Sequence, residues 1–155
     1  MGISSMLGCK QPNPWTCYPT CVAYLIGEPI DKIIELIGHD GSKIVNENPE
    51  PLNREQFTYF EMYWALLQLG WCLGIMDLRE QRTNWSQEIG YYDDRLPHNV
   101  NCVISVINGN GLWHALAWDR KKNQILDPLT GEKAIIKDTI ASIEPLIKSS
   151  HKNFS

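Results

Sequence analysis

Apolar and polar positions alternate between two different rhythms along this chain. Residues 9–16 are irregular, with Gln11, Pro12, Asn13 and Pro14, and residues 17–26 then form an apolar run that Gly27 interrupts. The pattern predicts a short helix opening at Cys17. Thr16 stands at its N-cap, and Pro19 is tolerated because it falls in the first turn, where a backbone N–H has no intrahelical partner. Pro29, Ile30, Ile33, Ile34 and Ile37 recur at helical spacing, which predicts a second helix over 29–37 ended by Gly38. Residues 39–52 read as loop. Asn53 then caps a third and longest helix over 54–69, with an apolar stripe of Phe57, Phe60, Trp64 and Leu67, and Gly70 closes it.

Beyond Gly70 the rhythm shortens. Residues 71–76 predict a strand, and 77–99 are polar and turn-rich. Four β-favouring runs follow at 100–107, 112–119, 124–127 and 133–136, separated by Asn108-Gly109-Asn110-Gly111, 120–123 and 129–132. They predict an antiparallel meander. Residues 138–148 read as a final helix shortened by Pro145, with a loose tail after it. Helices first and sheet second is an α+β order, with N-terminal helices packed on a C-terminal antiparallel β-sheet.

Length supports a single domain over 1–155: the chain has 155 residues, 43% hydrophobic and 21% charged. Fourteen basic and eighteen acidic side chains give a net charge of −4, and no basic run exceeds Arg120-Lys121-Lys122, which argues against a nucleic-acid partner. Apolar stretches such as 102–107 fall far short of the roughly 20 residues that a membrane helix needs. The first residues lack a secretory pattern, so the expectation is a soluble, cytoplasmic protein with no membrane partner. Cysteines 9, 17, 21, 72 and 102 are odd in number and sparse, which fits a reducing compartment rather than a disulfide framework. Cys72 and Cys102 sit in apolar, strand-like runs and read as small buried hydrophobes. Chemistry then concentrates on Cys17 and Cys21.

A thiol at the start of a helix is acidified by exposed N–H groups and by the positive end of the macrodipole, and the thiolate is the nucleophilic form. Such a nucleophile needs a base. Of histidines 39, 98, 114 and 151, only His114 lies in a predicted strand. If 112–119 and 124–127 form a hairpin about 120–123, position 116 opposes 127 and position 114 opposes 129. Asp127 is then the diagonal same-face neighbour of His114, about 7–8 Å away at Cα, close enough to hold the imidazole in one tautomer. Asp119 faces the other way. An Asp before Pro128 also initiates turns, and Asp127 can serve both purposes. Gln11, six residues before Cys17, offers a side-chain amide to join the Cys17 backbone N–H around a developing oxyanion.

Gln11-Pro12-Asn13-Pro14-Trp15-Thr16-Cys17-Tyr18-Pro19-Thr20-Cys21, with His114 in a strand and Asp127-Pro128 before Gly131, resembles the papain-like cysteine peptidases. Within them it is most similar to the bacteriocin-leader (double-glycine) peptidase type. The resemblance implies a papain-like fold in which Cys17, His114 and Asp127 are the catalytic triad and Gln11 serves the oxyanion hole. It also implies a peptide or protein substrate, cleaved through an acyl-enzyme thioester, with Trp15, Tyr18 and Trp113 placed to line the substrate cleft. One departure stands out: the family has Asp-Cys-Gly where this chain has Thr16-Cys17-Tyr18, and a bulky Tyr18 crowds the cleft. A silent, partner-binding module and a deamidase or acyltransferase on the same triad are the alternatives. Cys21, one turn beyond Cys17, reads as packing. A zinc site from Cys17, Cys21, His114 and Cys9 would lack paired cysteine knuckles, so neither metal nor cofactor is expected.

Overall fold

A computed structural model of the chain describes residues 8–46, 53–78, 96–97 and 99–149. Most of the turn-rich stretch 77–99, including His98, and the tail with His151 lie outside the described residues. Among those described, three helices and nine strands form an α+β arrangement. Helix α1 (Cys17–Ile26) begins at the predicted residue and ends where Gly27 adopts φ 74, a left-handed conformation that glycine takes without a Cβ penalty. Pro19, Thr20, Cys21, Val22, Ala23 and Leu25 are all buried, because α1 packs between the sheet and helix α2 (Ile30–Ile37). Helix α2 buries Ile30 and Ile33 only and stops at Gly38.

Two expectations for the next segment fail. Residues 44–46 are not loop: strand β1 (Ile44–Asn46) pairs with β2 (Asn53–Arg54), so Asn53 is part of a small ribbon and not a helix cap. Gln56 then takes φ 56, which no helix accommodates, and helix α3 (Tyr59–Gln68) begins after Thr58. Thr58 Oγ1 accepts from the Glu61 backbone N–H at 3.2 Å, and Glu61 Oε1 accepts from the Thr58 N–H at 2.9 Å. This complete capping box satisfies two backbone donors that Asn53 could not reach. The helix also turns the other face inward: Met62, Ala65 and Leu66 are buried, whereas Phe60 and Trp64 are 72% and 62% exposed. Apolar residues surround α3, so two stripes compete, and the one carrying the small Ala65 packs against α2 and strand β3 (Trp71–Leu73).

The remaining strands are β4 (Met76–Asp77), β5 (Cys102–Ile107), β6 (Trp113–Asp119), β7 (Gln124–Asp127), β8 (Glu132–Lys133) and β9 (Thr139–Lys148). They form one antiparallel sheet of seven strands in the order β3-β9-β5-β6-β7-β8, with β4 also paired to β9. The meander β5 to β8 follows the expected order. The predicted strand 71–76 breaks at Gly74, where an added Cβ would stand 3.1 Å from the Pro145 ring. The predicted final helix over 138–148 is instead the strand β9, lodged between β3 and β5. Thr139, Ile140, Ile143 and Ile147 are β-branched, and the strand is buried on both faces, so it carries no clear period-two signal.

One face of the sheet packs on the helices through Val22, Ile33, Met62, Leu66, Leu73, Val103, Ala117 and Leu146. The other face closes over Ile104, Leu116, Trp118, Ile125, Ile140 and Ile143, and Trp118 Nε1 donates to the Pro97 carbonyl at 2.8 Å. Cys102 is buried, as expected, but Cys72 is only half-buried, because β3 is the edge strand of its sheet. No helix among the described residues is long and apolar enough to cross a membrane.

Candidate active site

Cys17 is the first residue of α1 and is partly exposed. Thr16 occupies the N-cap position but makes no capping bond; its hydroxyl donates instead to the Asn13 carbonyl at 3.2 Å. The N–H groups at the start of α1 are therefore not claimed by the cap side chain. These are the donors that polarise a thiol and receive an oxyanion.

The β6–β7 hairpin adopts the anticipated register, with Ala117 opposite Leu126 and Trp118 opposite Ile125. Continued along both strands, this register makes His114 and Asp127 diagonal neighbours. Their side chains meet: His114 Nε2 lies 2.7 Å from Asp127 Oδ1. Asp127 also organises its own turn. The same Oδ1 accepts from the Leu129 N–H at 2.9 Å, and the Asp127 carbonyl accepts from Gly131 at 2.7 Å. Gly131 adopts φ 77, and an added Cβ there would press on Lys10 at 3.1 Å, so this turn packs closely against the lead-in to α1.

With Nε2 engaged by the carboxylate, Nδ1 is left for the thiol. Cys17 and His114 border the same cavity, and Cys17 is among the groups that act on the His114 ring. Burial alone would lower the His114 pKa, but the hydrogen bonds to Cys17 and Asp127 and their charges outweigh it and push it up to about 9. The imidazole therefore holds its proton at neutral pH, between two potential anions.

Cys17 and His114 line a cavity of about 470 Å³ whose walls include Trp15, Tyr18, Trp113, Tyr59, Ser105 and Glu144. The three aromatic residues expected at the cleft all border it. Trp15 is fixed by a hydrogen bond from Nε1 to the Asp40 carbonyl at 3.0 Å and by the Arg54 guanidinium 4.2 Å from its ring centroid. Tyr18 forms part of the cavity wall, and its hydroxyl donates to Glu144 Oε1. His114 also borders a second cavity of about 420 Å³ on the side of Asp127 and Lys133.

Gln11 does not line the cavity of Cys17. It is buried beside the Asp127 turn: its backbone N–H donates to the Pro128 carbonyl at 2.7 Å, and its side-chain amide donates to the Asn13 carbonyl at 2.8 Å. Gln11 Oε1 has no hydrogen-bond partner among the described residues, and one amide hydrogen remains unspent.

Burial sets Cys9, Cys21 and Cys102 apart from the half-exposed Cys17. Cys21 is fully buried, and desolvation together with a hydrogen bond to Cys9 raises its pKa, so it stays protonated packing, as expected. Burial and the nearby charge of Glu144 do the same to Cys102. Sequence reasoning missed Glu144, Ser105 and Ser142, which form the sheet wall of the cavity. The available signal was the polar pair Ser142 and Glu144 inside an otherwise apolar run, concealed by reading that run as helix. Among the described residues no three His, Cys, Asp or Glu side chains converge as metal ligands would. No protein-family model matches the sequence, and no curated protein matches it.

Proposed function

We propose that this protein is a thiol-dependent hydrolase of the papain-like class, cleaving a peptide or amide bond. The observation that carries the reading is Cys17 at the start of α1 against His114, with the far ring nitrogen of His114 held 2.7 Å from Asp127, all at the edge of an open cavity.

The chemistry follows from that order of groups. His114 carries on Nδ1 the proton that Cys17 gives up, leaving a thiolate, and Asp127 orients the ring and favours the imidazolium. The thiolate adds to the substrate carbonyl, forming the C–S bond and moving an electron pair onto oxygen. The Cys17 N–H is the nearest donor for that oxyanion, and the unspent Gln11 amide hydrogen joins it if the lead-in loop moves toward the cleft on substrate binding. Collapse of the intermediate breaks the C–N bond, and the His114 proton leaves with the amine. Water, deprotonated by His114, then attacks the thioester and releases the acid and the thiol. Deamidation and acyl transfer share the thioester and differ in the leaving group or in the acceptor.

The test is site-resolved alkylation with iodoacetamide across pH, mapped by mass spectrometry. Cys17 is expected to label selectively well below the ordinary thiol pKa of ~8.5, and His114→Ala is expected to abolish that low-pH reactivity. Labelling of Cys17 no faster than that of Cys72 overturns the reading.

A further inference from the structure

The sheet wall of the Cys17 cavity holds an acid that the hydrolytic steps do not use. Glu144 on β9 is 3% exposed. Its Oε1 accepts the Tyr18 hydroxyl, and its Oε2 accepts the Ser105 hydroxyl at 2.7 Å and the Ser142 hydroxyl at 2.8 Å. All three partners are neutral. Among the described residues no Lys, Arg or His forms an ion pair with this carboxylate.

A buried carboxylate served by hydroxyls alone has no counter-ion beside it, an arrangement that favours any cation able to reach it. The field is felt locally: after burial itself, the Glu144 charge is the next cause that raises the pKa of Tyr18, Tyr59 and Cys102. A carboxylate offers about four acceptor sites. Oε2 has filled two and Oε1 one, so the open site is on Oε1, the oxygen beside Tyr18. Tyr18 directly follows the nucleophile, and Glu144, Tyr18, Ser105 and Cys17 border the same cavity. Arg54 borders it too, but its guanidinium is engaged over Trp15 and by the Ser42 carbonyl at 2.7 Å. A volume of about 470 Å³ accepts a long side chain.

We propose that this cavity is a specificity pocket for a basic side chain, Lys or Arg, of a peptide substrate, with Glu144 as its anionic end. The inference rests on the thiol-hydrolase reading. The cationic head donates to Glu144 Oε1, while its aliphatic stem lies along the rings of Tyr18 and Tyr59. Tyr18 thereby acts as a positioning residue, holding Glu144 in the wall beside the reacting thiol.

The test uses epoxysuccinyl peptides, whose electrophile carries residues at either end, as matched pairs bearing Arg or its neutral isostere citrulline. Cys17 of the wild-type protein is expected to be labelled at least about tenfold faster by the Arg member at one end, the size of one charge-assisted hydrogen bond. Glu144→Gln is expected to bring the two rates together by slowing the Arg probe. Equal rates for every pair in the wild type, a preference for citrulline, or an Arg preference that persists in Glu144→Gln overturns the proposal. The wild-type comparison decides the matter even if the variant does not fold. Iodoacetamide labelling of the same wild-type sample separates the two ideas: selective labelling of Cys17 with equal probe rates removes only the basic pocket, and unselective labelling removes the hydrolase reading and the pocket with it.

Discussion

His114 meets Asp127 through Nε2, and its proton is bound more tightly than in an ordinary histidine. The pKa of about 9 sets the alkaline limit of the proposed reaction. The kcat/KM profile of any substrate found is expected to fall on its basic side near pH 9, as the imidazolium needed by the leaving amine disappears. Asp127→Ala removes a group that raises this pKa, so the basic limb should move toward the ordinary histidine value of ~6.5. The rate should fall by about 100-fold or more, because the ring loses its orientation. Stability carries the same signature with a defined sign. A histidine raised above its unfolded pKa stabilises the fold fully below about pH 6.5, and that contribution is lost as pH rises through about 9. Urea unfolding of the wild type and His114→Ala between roughly pH 6 and pH 10 should show their stability difference shrinking toward the alkaline end. His114 and Asp127 were legible as neighbours because a hairpin register is local, and Cys17 was legible as a helix start, but joining it to His114 across the chain took the family resemblance. Gln11 was legible by position only, since its hydrogen bonds depend on where the loop meets Pro128.

Helix α3 shows why an element can be recognised and its inward face still missed. Phe57, Phe60, Trp64 and Leu67 form one apolar stripe, Met62, Ala65 and Leu66 another, and local periodicity weighs both alike. The choice was made by the neighbours, α2 and β3. Leu66→Ala or Met62→Ala is therefore expected to cost about 2–5 kcal/mol of unfolding free energy. Trp64→Ala should stay within about 0.5 kcal/mol. Denaturant midpoints with unchanged slopes would check both values. The capping box is separable from the packing. Thr58→Ala should cost about 1 kcal/mol, and Glu61→Ala more, because Glu61 also meets the His39 ring and ties the end of α2 to the start of α3. Strand β9 was misread for a related reason. A strand covered on both faces reads as a continuous apolar run, and its length matched a helix as well as a strand. The consequence reached the site, since Glu144 and Ser142 belong to that strand.

At the scale of the whole molecule, β9 joins parts of the chain that are distant in sequence. It pairs with β3 and β4 on one side and with β5 on the other, so the helical half and the meander share it. Deleting residues 139–148 should abolish the cooperative thermal transition, and circular dichroism should show residual helix without a sharp midpoint. A variant that kept a sharp transition would show that the halves hold together by helix packing alone. The shared strand also sets an order of events. On the ribosome, Cys17, His114 and Asp127 all emerge before residues 139–148, so a nascent chain holds these three side chains while one wall of the cavity is still unmade. Because β9 lies between β3 and β5, a chain without it leaves those two strand edges open to chaperones and to other nascent chains.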